Sequence, residues 1–360
     1  ETRITTSESA IHSAIYGERI VWEDYRDENF RNIYMYNLST HKESQVTKNE
    51  SNQGNPAIYG DKIVYEDDRN GYPDIYMYDL STHKETQITT DKSDQSIPAI
   101  YGNKIVWEDW RNGEDKSDIY MYDLSTHKET KISTSGSAGN PAIYGNRIVW
   151  DEGRDRDGYK NCDIYMYDLS TSKKTRITTS GSSCVPKIDG DRIMWRYKDV
   201  TISPNISVYD LSTHKETKIT TNEQVGYATI CGDKVVWTER YPGIGDIQQY
   251  DLYMYDLSTH KETQITTNGS PKGKVSMFQN RIIWTDYRNS VNDPYQDPYS
   301  NPDIYMITLD SSSPVADYSA SPTSGKVPLT VVFTDKSTGS PTSWKWSFGD
   351  GSPLTTEHNP

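Results

Sequence analysis

The segment Asp74-Ile-Tyr-Met-Tyr-Asp-Leu-Ser-Thr-His-Lys-Glu-Thr-Gln-Ile-Thr-Thr90 is written seven times along the chain, with near copies starting at Asn32, Asp118, Asp163, Asn205, Asp251 and Asp303. Repetition at a fixed period constrains the fold more than length does, because each copy is a small unit that must bury its apolar surface against the next. Two short alternating runs, Ile-Tyr-Met-Tyr and Thr-Gln-Ile-Thr, flank the turn-forming Asp-Leu-Ser-Thr-His-Lys. Each copy therefore reads as a β-hairpin.

A second hairpin precedes each one. Tyr59-Gly-Asp-Lys-Ile-Val-Tyr65 has relatives whose Gly falls at 17, 102, 145, 190 and 232, with Asn280 in its place in the seventh copy. The spacings run from 42 to 48 residues, the period of propeller blades. Four strands per unit follow: A, Pro56–Tyr59; B, Lys62–Glu66; C, Ile75–Tyr78; D, Glu85–Thr89. The Gly-Asp, Gly-Asn and Gly-Glu pairs at the A–B turn suit a tight hairpin that needs positive φ. Strands B and C are apolar or aromatic on both faces, as expected of a sheet held between two others. Trp22, Trp107, Trp150, Trp195, Trp237 and Trp284 share one slot of strand B, filled by Tyr65 in the second copy. With only 33% hydrophobic residues but 28 Tyr and 9 Trp, the aromatics carry much of the burial, about 150–250 Å² for each large ring.

The seventh copy runs through Asp303–Asp310 and lacks strand D, whereas Glu1-Thr-Arg-Ile-Thr-Thr6 matches strand D of the others. The expected fold is therefore all-β: a seven-bladed propeller of four-stranded blades over residues 1–310, its last blade closed by the N-terminal strand, which removes the free sheet edges of an open array. A linker at 311–314 leads to 315–360, where alternating strands between Gly, Pro and Ser turns suggest the N-terminal half of a β-sandwich. Trp344, Trp346 and Phe348 would there leave aromatic surface without a second sheet, and the chain reads as a fragment of something longer.

The formal net charge of −14 disfavours nucleic acid or an anionic membrane as partner, since both demand clustered Lys and Arg. No apolar run approaches the roughly 20 residues that span a bilayer. Cys162, Cys184 and Cys231 are too few for a disulfide scaffold and lack zinc spacing. Cys162, before strand C of blade 4, and Cys184, between that blade and the next, fall on one face of a propeller; they form either a disulfide or two separate buried thiols, while Cys231 belongs to the opposite face. Sequons at Asn37, Asn49, Asn205 and Asn268 permit glycosylation.

The repeat, with Ile-Val-Trp-x-Asp-x-Arg, Asp-Ile-Tyr-Met-Tyr-Asp-Leu and Ile-Thr, resembles the TolB-type propeller repeat. The tail, with Ser-Pro-Thr-Ser-Gly-x-x-Pro-Leu-Thr-Val-x-Phe and Trp-x-Phe-Gly-Asp-Gly, resembles a PKD domain that stops before its closing strands; Ser347 stands where that motif commonly has Asp. The combination is similar to cell-surface and surface-layer proteins of methanogenic archaea such as Methanosarcina. The resemblance implies an extracellular location and an interaction module.

Five copies carry an acid-x-Arg pattern after strand B, with Arg26, Arg69, Arg111, Arg154 and Arg288. Together with Trp110, Tyr287, Tyr295 and Tyr299 these residues could line a face that grips an anionic or sugar ligand. The competing reading is an ion pair inside each blade, to the Asp that opens strand C (Asp74, Asp118, Asp163), and repetition favours it, because a catalytic site needs one asymmetric constellation. Copies five and six break the pattern, so an asymmetric site belongs there. His41, His83, His127, His214 and His260 occupy one turn of different blades, which suits exposed turn residues better than a shared metal site. Asp155, Asp157 and Asp163 form part of a calcium-loop pattern without its closing Glu. No nucleophile elbow, phosphate loop or dinucleotide cradle occurs.

The expectation is an extracellular, non-enzymatic binding or structural protein of the cell surface, with no catalytic residue and no cofactor, whose partners are surface proteins or glycans. The alternatives are a polysaccharide lyase or glycosidase with PKD as accessory module, and a TolB-like envelope adaptor for protein partners.

Overall fold

The computed structural model describes the chain except residues 28, 114–115, 154–161, 198–205, 220–223, 242–248, 293–299, 310–315, 323, 327–328, 338–343, 349–354 and 357–360. It divides into two compact units, Glu1–Ile307 and Thr308–Pro360.

The first unit is seven antiparallel four-stranded sheets. Blade 2 is representative: A is Gln53–Tyr59, B Lys62–Asp67, C Asp74–Asp79 and D Lys84–Gln87. The other inner strands are Ala10–Tyr16, Gln95–Tyr101, Ala138–Tyr144, Ser183–Asp189, Gln224–Cys231 and Lys272–Phe278. Each packs against the inner strands of both neighbouring blades, the seventh against the first, so the seven enclose a central channel.

The six Trp and Tyr65 of strand B are fully buried or nearly so. Most lie against the Tyr opposite on strand C, as in Trp22–Tyr34 at 6.1 Å and Trp107–Tyr120 at 6.2 Å between ring centroids. Apolar clusters straddle blades: Val106, Ile119 and Met121 of blade 3 pack with Ile143, Ile148 and Trp150 of blade 4. Burial on both faces of B and C is what holds blade to blade.

The ring closes as the repeat implies. Thr2 and Arg3 pair with Met306 and Tyr305 on strand C of blade 7. Ile4 joins the cluster of Ile15, Trp22, Ile283 and Ile304, and Thr5 Oγ1 donates to Asp303 Oδ1 at 2.7 Å.

Two details differ from the sequence reading. Strand A starts three residues earlier than Pro56, because a bulge between Gly54 and Ala57 carries the ladder past the proline. And the left-handed residue of the seventh A–B turn is Gln279, φ 55°, rather than Asn280, since Phe278 pairs with Arg281 as Tyr59 does with Lys62. At the C–D turn Asp79 Oδ1 accepts from Ser81 N, Ser81 Oγ and Thr82 N, which fixes the loop. The turn's His83 is exposed with φ 55°, and His41, His127, His214 and His260 repeat it.

In the second unit Tyr318–Ser321 pairs with Val332–Asp335. Phe333 is ringed by Tyr318, Trp346 and Phe348 with centroids 5.0 to 6.2 Å away, and Trp344 Nε1 donates to Asp335 at 2.9 Å. Tyr318 and Phe348 are exposed.

Candidate functional site

The arginines after strand B are held inside their blades. Arg111 donates to Asp109 and Glu129 and lies 4.2 Å over the Tyr120 ring. Arg69 does the same with Asp67, Glu85 and Tyr76, and Arg26 with Asp24, Glu43 and Tyr34. Arg288 takes Asp286, Tyr305 and, from the N-terminal strand, Glu1. Each guanidinium thus ties strand B to strand D across strand C. Its partners are the acid two residues before it and a strand D glutamate, not the Asp that opens strand C; Asp74 instead accepts from Thr89 Oγ1 and Asn70 Nδ2. In blade 4 Lys174 stands in the glutamate's place and pairs directly with Glu152 at 2.8 Å.

Trp110 and Tyr287 are half-buried in the same loops; Arg154, Tyr295 and Tyr299 lie outside the described residues, as do Asp155 and Asp157. Asp163 is engaged within the blade by Thr178, Gly181 and Arg176. Among the described residues no group of three His, Cys, Asp or Glu could hold a metal ion. Cys162 and Cys184 are buried thiols with no disulfide between them. The register accounts for this, since Cys162 bridges to Ser182, two positions short of Cys184.

The channel wall holds what the repeat did not announce. The bulge in strand A puts a residue in the left-handed region (His12, Asn55, Ile97, Asn140, Val185, φ 48° to 54°) and turns its N–H out of the ladder. Four of these N–H groups find a carboxylate on strand B of the preceding blade: Asn55 to Glu23 at 3.2 Å, Ile97 to Glu66 at 2.7 Å, Asn140 to Glu108 at 3.3 Å and Val185 to Asp151 at 2.7 Å. Blades 1 to 4 thereby present an arc of acids whose first task is to satisfy backbone donors.

The equivalent position in blade 5 is Arg196, which cannot accept. The Tyr227 N–H of blade 6 turns instead to Thr238 Oγ1 at 2.9 Å. Blade 5 also has Lys187 where Ala57, Ala99 and Ala142 stand in the repeats, and blade 7 has Lys274 where Asn55 and Asn140 stand. Among the described residues the side chains of Arg196, Lys187 and Lys274 make no hydrogen bond or ion pair. All three are half-buried. Burial, reinforced by Lys187, lowers the Lys274 amine to about 8, with Glu23 and Glu66 opposing. Burial likewise lowers Lys187, with Arg196 adding to it and Asp151 opposing. Residues of blades 5, 7, 1 and 2 sense one another here across the channel.

The acids divide in the same way. Burial works to raise Glu23, but His12 and Arg31, at 3.1 and 3.0 Å, outweigh it and hold it down. Burial raises Glu66, and raises Glu108 to about 7 with Asp151 adding to it. Glu108→Gln isolates this cost, because glutamine keeps an acceptor for the Asn140 N–H. Glu108 titrates above the 4.5 of an open carboxyl, so its contribution to stability is complete below that pH and is lost as pH rises through about 7. The variant should match the parent near pH 4 and exceed it by about 2–3 kcal/mol at pH 8 in thermal or denaturant unfolding; equal stability at pH 8 would refute the assignment.

At the A–B end of the channel the rings of Tyr144, Tyr101, Tyr59, Tyr16 and Phe278 form a continuous belt, neighbouring centroids 4.6 to 4.7 Å apart. Asp189 and Cys231 interrupt it in blades 5 and 6. The departures from repetition therefore converge on one sector. The sequence pointed to copies five and six through their loops; the signal lay in strand A, in Lys187 and Lys274 among the alanines and asparagines.

Residues 316–360 match the PKD domain family. No curated protein matches the chain in sequence. Among solved structures, the β-propeller domain of the Trilobed protease from Pyrococcus furiosus, reported with an open velcro topology, is 17% identical with a TM-score of 0.61, over 78% of this chain and 90% of that one. An oligogalacturonate lyase in complex with manganese is 14% identical with a TM-score of 0.60, over 86% and 93%. A putative TolB from Agrobacterium tumefaciens is 15% identical with a TM-score of 0.50, over 77% and 98%. At such identities the likeness is one of fold. It nonetheless corrects the non-enzymatic expectation: this fold occurs in a lyase and in a protease, so exclusion of catalysis on repeat symmetry alone does not stand, and the channel breaks that symmetry.

Proposed function

We propose that this chain is an extracellular recognition protein that takes its ligand in the central channel of the propeller, the PKD unit serving as accessory module. The observation that carries this reading is where the repeat is broken. Where blade 2 carries Ala57, Asn55 and Glu66, blades 5 and 7 carry Lys187, Lys274 and Arg196, cations that the strand ladders do not require. Residues that depart from local consistency mark function. The PKD match supports an extracellular setting, as does the resemblance to archaeal surface proteins. Aromatic rings around the channel mouth suit a glycan, whose sugar faces stack on them.

A second reading has its own support. This fold occurs in an oligogalacturonate lyase, and the Lys274 amine at about 8 and the Glu108 carboxyl at about 7 change charge in the range where general bases and acids work, so cleavage of the bound polymer is the second reading. One experiment addresses both: the full chain is incubated with immobilised cell-wall and extracellular polymers, and bound protein and released fragments are measured. Binding that falls at least tenfold in a correctly folded Tyr101→Ala variant supports the channel as the site. Undiminished binding in that variant places the ligand elsewhere, and fragment release that ceases in Lys274→Asn establishes cleavage.

A further inference from the structure

From the pairing of charges in the channel we infer an anionic-sugar site: Lys187, Arg196 and Lys274 take an oxyanion of the ligand, carboxylate or phosphate, and the acid arc of blades 2 to 4 takes its hydroxyls. This rests on the reading of the channel as a ligand site and specifies its chemistry.

The two sets of charges are not alike. The carboxylates are already committed to protein donors. Glu66 accepts from Ile97 N and Asn55 Nδ2, and Asp151 from Val185 N and Asn140 Nδ2. Glu66 still has lone pairs left over, as two carboxylate oxygens offer about four. The cations have no such partners. The acids that act on them, Asp151 on Lys187 and Arg196, and Glu23 and Glu66 on Lys274, make no direct ion pair with them, while Lys187 is opposed by Arg196 and Lys274 by Lys187. A bound oxyanion would remove that repulsion and satisfy a planar guanidinium and two ammonium groups together, the geometry in which Arg and Lys bind carboxylate and phosphate most strongly.

The fold itself has an alternative at each position. Ala57, Asn55 and Glu66 are what blade 2 places where Lys187, Lys274 and Arg196 stand, so the cations are not needed to build an inner strand. A sugar is favoured over an acidic peptide because the site is two-sided. A peptide carboxylate would use the cations but leave the facing acids to repel the rest of the chain, whereas hydroxyl groups donate to those acids. The belt from Tyr144 to Phe278 adds ring faces at the mouth.

The test uses the full chain and calorimetric titration with glucuronate, glucose 6-phosphate, glucose and a short poly-aspartate peptide, at low and moderate salt. The expected result is binding of glucuronate or glucose 6-phosphate at least tenfold tighter than glucose, weakening as salt rises, with the stronger of the two identifying the oxyanion. The variants Lys187→Ala, Lys274→Asn and Arg196→Glu restore residues found at the same places in other blades. Each should melt at or above the parent temperature while losing about tenfold or more in affinity, the loss expected for a hydrogen bond to a charged group. Glucose binding as tightly as glucuronate, or unchanged affinity in all three variants, overturns the inference while leaving the channel as a ligand site. Preference for poly-aspartate overturns the choice of sugar. If the polymer screen also finds nothing that depends on Tyr101, the channel reading itself falls.

Discussion

Deletion of residues 1–6 is expected to lower the melting temperature by roughly 10–20 °C, an effect out of proportion to six residues. The deleted segment is strand D of the last blade. Its loss removes the pairing to Tyr305 and Met306 and the Ile4 side chain from the cluster that joins blades 7 and 1. It also strips Asp303, fully buried, of Arg3 and of Thr5 Oγ1, and Ile304 N of its bond to Thr5 Oγ1 at 2.9 Å. Burial of one Ile contributes about 2 kcal/mol, and a buried carboxylate that loses its cation and its hydroxyl donor, keeping Asn289 and the Glu8 N–H, costs about 3 kcal/mol. Arg288 loses Glu1 as well, but that pair is partly exposed and counts for little. Thermal unfolding of the truncated chain checks this; a shift under about 3 °C would mean that the ring holds without its closing strand.

The architecture was legible because it is periodic. One blade read correctly is seven blades, and the missing strand after Asp310 pointed to the extra one at Glu1. Strand boundaries were less legible where proline interrupts the alternation: Pro56 hid the bulge that lengthens strand A, and that bulge calls for the acids at Glu23, Glu66, Glu108 and Asp151. The arginine pattern was read as a clamp or a ligand face, and its partners were misplaced, since alternation puts Asp74 and Arg69 near each other in sequence without showing that Glu85 arrives from strand D. The channel cations escaped notice for another reason. Lys187 and Lys274 stand on different strands nearly ninety residues apart, and only the closing of the ring brings them to one sector. A repeat advertises what is shared among its copies; a site built from single exceptions is seen once the copies are superimposed.

What the repeat shares is tested most sharply at Asp24. This carboxylate is fully buried and accepts from Trp22 Nε1 at 2.8 Å, from Ser9 Oγ at 2.7 Å, and from Arg26 through its backbone N–H, Nε and Nη2 at 2.6 to 2.9 Å. Burial alone would raise its pKa, but these donors outweigh burial and hold it at about 2. Asp24→Ala leaves the Trp22 N–H without its acceptor inside the blade, and leaves Arg26 with the partly exposed Glu43 and the face of Tyr34 alone. Removing one side of such a network costs about 3–5 kcal/mol. Arg26→Gln should cost less, since Arg26 is partly exposed and the Trp22 and Ser9 bonds remain. The pH dependence follows from the lowered pKa: the stabilisation is complete above 3.8, the ordinary value, and is lost as pH falls through about 2. The difference between parent and Asp24→Ala should therefore be constant from pH 5 to pH 8 in denaturant unfolding and shrink only towards pH 2. A loss below about 1 kcal/mol at pH 7 would show that the aspartate is dispensable and that aromatic packing alone holds the blade.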